Sequence, residues 1–195
     1  MDVQYLPLHI CAILVASIAV YTDVRTRKIP NKLTFPAAFL GLILSIIWYA
    51  YSSTLGLWPA IVAGALHSVL GWFAGVVPMT IIKIFLRQMG HGDTKLMAAI
   101  GAFVGPKTLF IIFLYYSFCY GLYAIFAIGK VFPWMQVLMS QEADRAGISE
   151  NMPDVDFKEV TKARKQLIPV APFIWGGTVL GLLLELPTEA LLGIK

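Results

Sequence analysis

Two aspartates stand alone in the most apolar part of the chain. Between residues 3 and 141 the only carboxylic side chains are those of Asp23 and Asp93. Asp23 follows the first apolar run, and Asp93 lies in GHGDTKL (90–96), directly before the fourth. A carboxylate at the centre of a membrane span costs on the order of 2.5–3.5 kcal/mol. The two acids are therefore candidates for chemistry at a membrane boundary.

The chemistry open to such a pair is that of an aspartic protease. Two carboxylates held close together cannot both ionise easily, so one of them keeps a proton. The ionised member takes a proton from water as the water attacks a peptide carbonyl, and the protonated member bonds the carbonyl oxygen. We therefore expect Asp23 and Asp93 to form a catalytic dyad that titrates as a unit and needs neither a metal nor a cofactor.

The same placement also fits a purely structural role. Asp23 would then pair with Arg25 or Arg27 at the end of its helix, and Asp93 would be the N-cap of a helix that begins at Thr94. Placement alone does not decide between the two interpretations.

The elements that must position these acids are apolar helices. Of the 195 residues, 58% are hydrophobic and 13% are charged, and the mean hydropathy is +0.77. A bilayer span needs about 20 apolar residues, and its backbone groups must be satisfied within a helix. We expect an all-α polytopic membrane protein, a single domain over residues 1–195 with about six transmembrane helices. The apolar runs are 6–21, 33–51, 58–82, 96–105, 109–128 and 167–186.

The basic residues predict the orientation of the chain. Thirteen of its 15 Lys and Arg residues lie in segments 25–32, 83–95 and 130–165, which the positive-inside rule places in the cytoplasm. The N-terminus is then outside the inner (plasma) membrane, and residues 130–166 form a cytoplasmic polar loop. The basic charge thus orients the chain and is not evidence for a nucleic-acid partner. Nothing in the sequence indicates an oligomeric state.

The fourth apolar run is short. Residues 94–105 make roughly 18 Å of helix, whereas the bilayer core is about 30 Å thick. The run is either a re-entrant leg, or part of a helix that starts earlier and crosses the membrane while Lys83 and Arg87 extend to the surface. The charge distribution favours a crossing. A short helix would draw Asp93 slightly below the membrane surface.

Residues around Asp93 suit a protease site but also have simpler interpretations. Gly90 and Gly92 let backbone approach a bound extended peptide. His91 either tunes the titration of Asp93 or faces the lipid headgroups. Lys95 either holds substrate backbone or a lipid phosphate, or extends to the surface.

Two further features belong to the scaffold or to the polar loop. The steps GWFAG (71–75), GAFVG (101–105) and GTVLG (177–181) predict close helix packing. The acidic segment 141–159 either attracts basic peptides or is a solvated loop.

Three segments together resemble the prepilin peptidases, the bacterial and archaeal GxGD membrane aspartyl proteases of type IV pilus systems. TDVRTRKIPN (22–31) looks like their first-aspartate motif, GHGDTKLMAAIGAFVG (90–105) like their second, and PVAPFIWGG (169–177) like their last span. The resemblance implies cleavage of the leader of a prepilin-like membrane substrate at the cytoplasmic membrane face, with Asp23 and Asp93 as the catalytic pair. It also implies motif or substrate-positioning roles for Gly90, Gly92, Lys95, Pro30 and Asn31.

The chain departs from the long, bifunctional branch of this family, which carries an N-terminal cytoplasmic region with paired cysteines and also N-methylates the new pilin terminus. Because Asp23 already ends the first span, that region and methyltransferase activity are not expected. The compact form is similar to the Tad/Flp-type peptidases, with the archaeal preflagellin peptidases as the alternative.

Three other functions remain open at this point. A proton-coupled transporter would use the two acids as a proton relay. Intramembrane cleavage of the presenilin kind would use the same chemistry, and an assembly or anchor protein would need neither acid.

Overall fold

The described part of the chain is helical. The computed structural model describes residues 5–54, 56–86, 91–131 and 170–193, and it contains no β-strand within them. Its helices are α1 (Leu6–Thr26), α2 (Asn31–Ser52), α3 (Leu57–Leu86), α4 (His91–Val131), α5 (Ala171–Leu183) and α6 (Glu185–Leu192). The chain divides into two compact units, residues 1–119 with 169–195, and residues 120–168. Of the second unit the structure describes only the helical end of α4, residues 120–131, and the helix packing is that of the first unit.

Four of the helices are long and apolar enough to cross a membrane: Leu6–Thr26, Asn31–Ser52, Leu57–Ile84 and His91–Tyr123. The all-α prediction is therefore confirmed for the described residues. The sixth apolar run contributes the shorter apolar helix α5. Six crossings and an outside N-terminus stay predictions. The predicted polar loop at 130–166, with its acidic segment, lies almost wholly outside the described residues.

The fourth and fifth apolar runs lie in one helical segment, α4, which is interrupted at Gly105. This residue has φ 77° and ψ 175°, a backbone conformation that residues with a side chain rarely adopt, and Pro106 follows it. A Cβ at Gly105 would also lie 2.1 Å from Cε1 of His67, so only glycine fits. The interruption divides α4 into a first arm, 91–104, and a second arm, 106–131.

Contacts to the first arm give its direction relative to α2 and α3. Gly71 of α3 lies against Gly101, and Gly75 lies against Ala98, so α3 and the first arm are antiparallel. Lys95 contacts Asn31 near the start of α2, and further along both helices Gly41 contacts Ala102. The first arm is therefore parallel to α2.

The remaining helices continue this alternation. Trp175 Nε1 donates to Ser17 Oγ at 2.9 Å, and Ala171 contacts Asp23, so α5 is antiparallel to α1. Gly177 and Gly181 of α5 lie against Tyr116 and Ile112 respectively, so α5 is also antiparallel to the second arm. We call the end of the bundle that contains Asp23, Asn31, Asp93 and Ala171 the aspartate end. The end that contains Gly105 is the far end.

The first arm forms the centre of the core. Every residue from Leu96 to Gly105 is buried. Within 98–102, four of the five residues are alanine or glycine. A Cβ at Gly71 would lie 2.0 Å from the carbonyl oxygen of Gly101, which no rearrangement of a side chain relieves. Helices in a membrane associate through such close packing of small residues. The predicted packing of the glycine steps at 71–75, 101–105 and 177–181 is thus confirmed.

Aromatic groups at the far end hold the turn at Gly105. The hydroxyl of Tyr49 lies 3.0 Å from Nδ1 of His67, and the ring of Tyr5 stacks on the same imidazole with centroids 6.0 Å apart. The imidazole of His67 is also hydrogen-bonded to the backbone of Phe103, just before the turn. The arm that carries Asp93 is therefore anchored at its opposite end.

Candidate active site

Asp23 lies in the last turn of α1 and is held by the start of α5. Its side chain is only 7% exposed, and its Oδ2 accepts the backbone N–H of Ala171 at 3.1 Å. Ala171 is the first residue of α5, where backbone N–H groups have no partner within the helix. The carboxylate thus satisfies one of these donors and is oriented by it.

The end of α1 sets the course of the chain after Asp23. Arg27 adopts a left-handed conformation with φ 52°, and its N–H closes the helix on the carbonyl oxygen of Asp23 at 2.7 Å. Arg25 donates to the Tyr21 hydroxyl at 2.7 Å and lies over the Tyr21 ring. In the structure Arg25 is thus engaged with Tyr21, and the Asp23 carboxylate with the start of α5. The structural interpretation of Asp23 as a partner of Arg25 or Arg27 stays a prediction.

Asp93 lies in the first turn of α4 and is also 7% exposed. The helix begins at His91, so the interpretation of Asp93 as the N-cap of a helix that starts at Thr94 is wrong. His91 and Gly92 are already helical, which agrees with the alternative in which the helix starts before Thr94. Gly90 lies outside the described residues.

Two contacts join the segment after Asp23 to the turn that carries Asp93. A Cβ at Gly92 would lie 3.0 Å from Cβ of Ile29, so the loop packs directly on the backbone of this turn. Lys95 Nζ donates to Asn31 Oδ1 at 2.7 Å. The space beside Gly92 that was expected to admit a substrate is occupied by Ile29 on this side.

The beginning of α2 completes this junction. Pro30 is the N-cap of α2, with φ −72° and ψ 140°, and directs the chain into the helix at Asn31. Lys95 Nζ also lies over the Phe35 ring, 5.4 Å from its centroid. Asn31 and Lys95, separated by 64 residues in the chain, are thereby placed beside each other at the aspartate end.

The structure therefore brings both aspartates, Pro30, Asn31 and Lys95 to one end of the bundle. Gly92 and Ile29 form the contact surface between the two motifs. The donor at Ala171 could not be read directly from the sequence, since a backbone N–H leaves no side-chain pattern. The only indication of that region was the match of residues 169–177 to a motif.

A cavity of about 380 Å³ lies beside this junction, between α2, α3 and the first arm of α4. Its wall includes His91, Thr94 and Lys95, which flank Asp93 in the first turns of α4. Neither aspartate belongs to its described wall. The cavity is thus a neighbour of the carboxylates rather than the cleft between them.

Comparison with known proteins gives the family. Residues 10–125 match the model of the type IV leader peptidase family. The prepilin leader peptidase/N-methyltransferase of Escherichia coli (strain K12) is 30% identical over 107 residues, covering 55% of this chain and 44% of the relative. The protein of the same name from Xanthomonas campestris pv. campestris is 32% identical over 98 residues, covering 47% of this chain and 30% of the relative.

The chain spans less than half the length of these curated relatives. No solved structure matches it. The family match covers more than half of the chain and contains both aspartates and the whole junction between their motifs. The chain belongs to the type IV leader peptidase family.

Proposed function

We propose that this protein is a membrane aspartic endopeptidase that removes the leader of prepilin-like substrates, with Asp23 and Asp93 activating the attacking water. The family match supports leader-peptide processing, and the names of the relatives support prepilins as the substrate class. The single observation that carries the assignment of the dyad is the junction between the two motifs. Through Gly92–Ile29 and Lys95–Asn31, it ties the two buried carboxylates to the same end of the bundle.

In the proposed reaction the two carboxylates share one proton before the substrate is cleaved. The ionised member accepts a proton from water as the water oxygen bonds to the peptide carbonyl carbon, and the protonated member donates a hydrogen bond to the carbonyl oxygen. Collapse of the tetrahedral intermediate breaks the C–N bond, and a proton passes from the dyad to the departing amine. The N–H of Ala171 keeps one oxygen of Asp23 in place throughout.

The distribution of basic residues supports cleavage at the cytoplasmic face of the plasma membrane. In the first unit, six of the described lysines and arginines lie at the aspartate end, whereas Lys107 follows the turn at Gly105 and lies at the far end. The positive-inside rule then puts the aspartate end in the cytoplasm and the start of α1 outside. The six residues are Arg25, Arg27, Lys28, Lys32, Lys83 and Lys95.

The proposed substrate has an apolar helix beside its leader. Such a helix would lie in the bilayer against the bundle, with the leader junction at the aspartate end. Peptidase activity alone is proposed for this chain, and the methyltransferase activity in the names of the relatives is not extended to it.

The test is co-expression of a prepilin with wild-type protein, Asp23→Asn or Asp93→Asn, followed by the size of the pilin on a gel. Both variants should leave the leader attached, because an amide neither accepts the proton from water nor carries the shared proton. Glu185→Gln is the matched control. Glu185 is a buried acid that bonds Thr108 near the far end, and its variant should process the prepilin normally. Full processing by either aspartate variant would refute the dyad.

A further inference from the structure

The cavity between α2, α3 and the first arm of α4 has an apolar interior that opens to the outside of the bundle. Phe35 and Trp72, both in its wall, are 62% and 37% exposed. Val76 and Ala98 line it as well. Because these helices are apolar and of membrane-spanning length, we expect these walls to open onto the hydrocarbon part of a bilayer.

The same cavity is cationic at the aspartate end. Lys83, from the last turn of α3, and Lys95, from the second turn of α4, both line it, together with His91. No acidic residue belongs to its described wall. An apolar pocket with two lysines at one end is complementary to a molecule with a hydrocarbon chain and an anionic head.

Two buried hydroxyl groups point to a polar ligand near these lysines. Thr34 and Thr94 line the cavity, and their Oγ1 atoms are buried without a hydrogen-bond partner among the described residues. Thr34 is only 2% exposed. Buried hydroxyls are nearly always hydrogen-bonded, since leaving one unsatisfied is costly. Oxygen atoms of a phosphate or glycerol group would supply the missing partners.

We propose that this cavity binds one anionic phospholipid, with an acyl chain along Phe35 and Trp72 and the phosphate at Lys83 and Lys95. A soluble anion would not account for the apolar wall. A substrate peptide is disfavoured because neither aspartate lines the cavity. The lipid would lie directly beside Lys95, which bonds Asn31 and so joins the two aspartate motifs. Lipid binding at this cavity goes beyond the proposed peptidase activity and does not depend on it.

Quenching of Trp72 fluorescence by brominated lipid tests this site without any measurement of cleavage. The full chain is reconstituted in phosphatidylcholine vesicles that contain 10 mol% (about one lipid in ten) of a lipid brominated on its acyl chains. This brominated lipid is either phosphatidylglycerol or phosphatidylcholine. The difference between wild type and Trp72→Phe isolates the signal of Trp72. We expect brominated phosphatidylglycerol to quench Trp72 more strongly than brominated phosphatidylcholine.

Charge variants then identify the headgroup site. Lys83→Gln should lower the preference for phosphatidylglycerol roughly five-fold, since a lysine near an anionic headgroup contributes about 1 kcal/mol. Lys83→Arg should retain the preference. Lys32→Gln is the matched control, because Lys32 is exposed at the same end of the bundle but does not line the cavity.

Three outcomes would overturn the proposal. The first is equal quenching of wild-type Trp72 by the two brominated lipids. The second is an equal loss of preference in Lys83→Gln and Lys32→Gln. The third is relief of the quenching on addition of a prepilin, which would assign the cavity to the substrate.

Discussion

Replacing Gly92 by alanine tests whether the contact between the two motifs sets the geometry of the dyad. The added Cβ would lie 3.0 Å from Cβ of Ile29, whereas carbon atoms in favourable contact are about 3.5–4.0 Å apart. Relief of the overlap therefore needs a displacement of about 0.5 Å between the loop after Asp23 and the turn that carries Asp93. Because a misplacement of about 1 Å can cost a factor of 10² in rate, we expect a loss of roughly ten-fold.

The effect on stability should be small by comparison. Overpacking costs about 1–3 kcal/mol, but a glycine-to-alanine change within a helix gains about 0.5–1 kcal/mol. Gly176→Ala is the matched control: Gly176 lies within α5, and an added Cβ there meets no atom within 4 Å. This control should keep the wild-type rate of cleavage and equal or higher thermal stability.

The assay is the initial rate of prepilin cleavage by purified protein in vesicles, with thermal unfolding of the same samples measured in parallel. The expected pattern is a slower but folded Gly92→Ala enzyme beside a normal Gly176→Ala enzyme. A wild-type rate in Gly92→Ala would refute the reasoning, because the junction would then tolerate displacement without consequence for the carboxylates.

Two further predictions concern the ends of the first arm. Lys95→Met and Asn31→Ala should each slow cleavage, and the double variant should be no slower than the worse single variant, because each removes the same hydrogen bond of 2.7 Å. If the loss of cleavage rate in the double variant equals the product of the two single losses, the two residues act separately. Gly105→Ala should prevent accumulation of folded protein, as judged by detergent-solubilised yield and size-exclusion profile, because its backbone is left-handed and its Cβ would overlap His67. A normal yield of a monodisperse Gly105→Ala protein would contradict the described turn.

Much of the helical scaffold could be predicted because its signal is local. Each apolar run by itself indicates a segment that is buried in lipid or in the protein core, and the described helices follow those runs. The glycine steps also predicted close packing, since a missing side chain is visible in the sequence. The interruption of α4 at Gly105 was harder to foresee. The Gly-Pro pair allows a turn, but the overlap of an added Cβ with His67 depends on packing against α3.

The details of the site were less accessible because they depend on contacts between distant residues. The sequence singled out Asp23 and Asp93 by their isolation, yet it did not show that Asp23 is held by a backbone N–H of Ala171. One interpretation of Asp93 made it the N-cap of a helix that begins at Thr94, because aspartate is a preferred cap residue. The spacing alone did not decide between that start and an earlier one. The partner of Lys95 was not predictable from its spacing, as Asn31 is 64 residues away.

The most direct test of the central claim is the cleavage rate of Asp23→Asn, Asp93→Asn and the variant that carries both changes, measured in vesicles on one prepilin. Residues that act as a unit have grossly non-additive effects, because losing either one already removes the shared function. A dyad that shares one proton predicts the same residual rate for all three variants. A double variant whose loss is the product of the single losses, or a single variant with the wild-type rate, would contradict it.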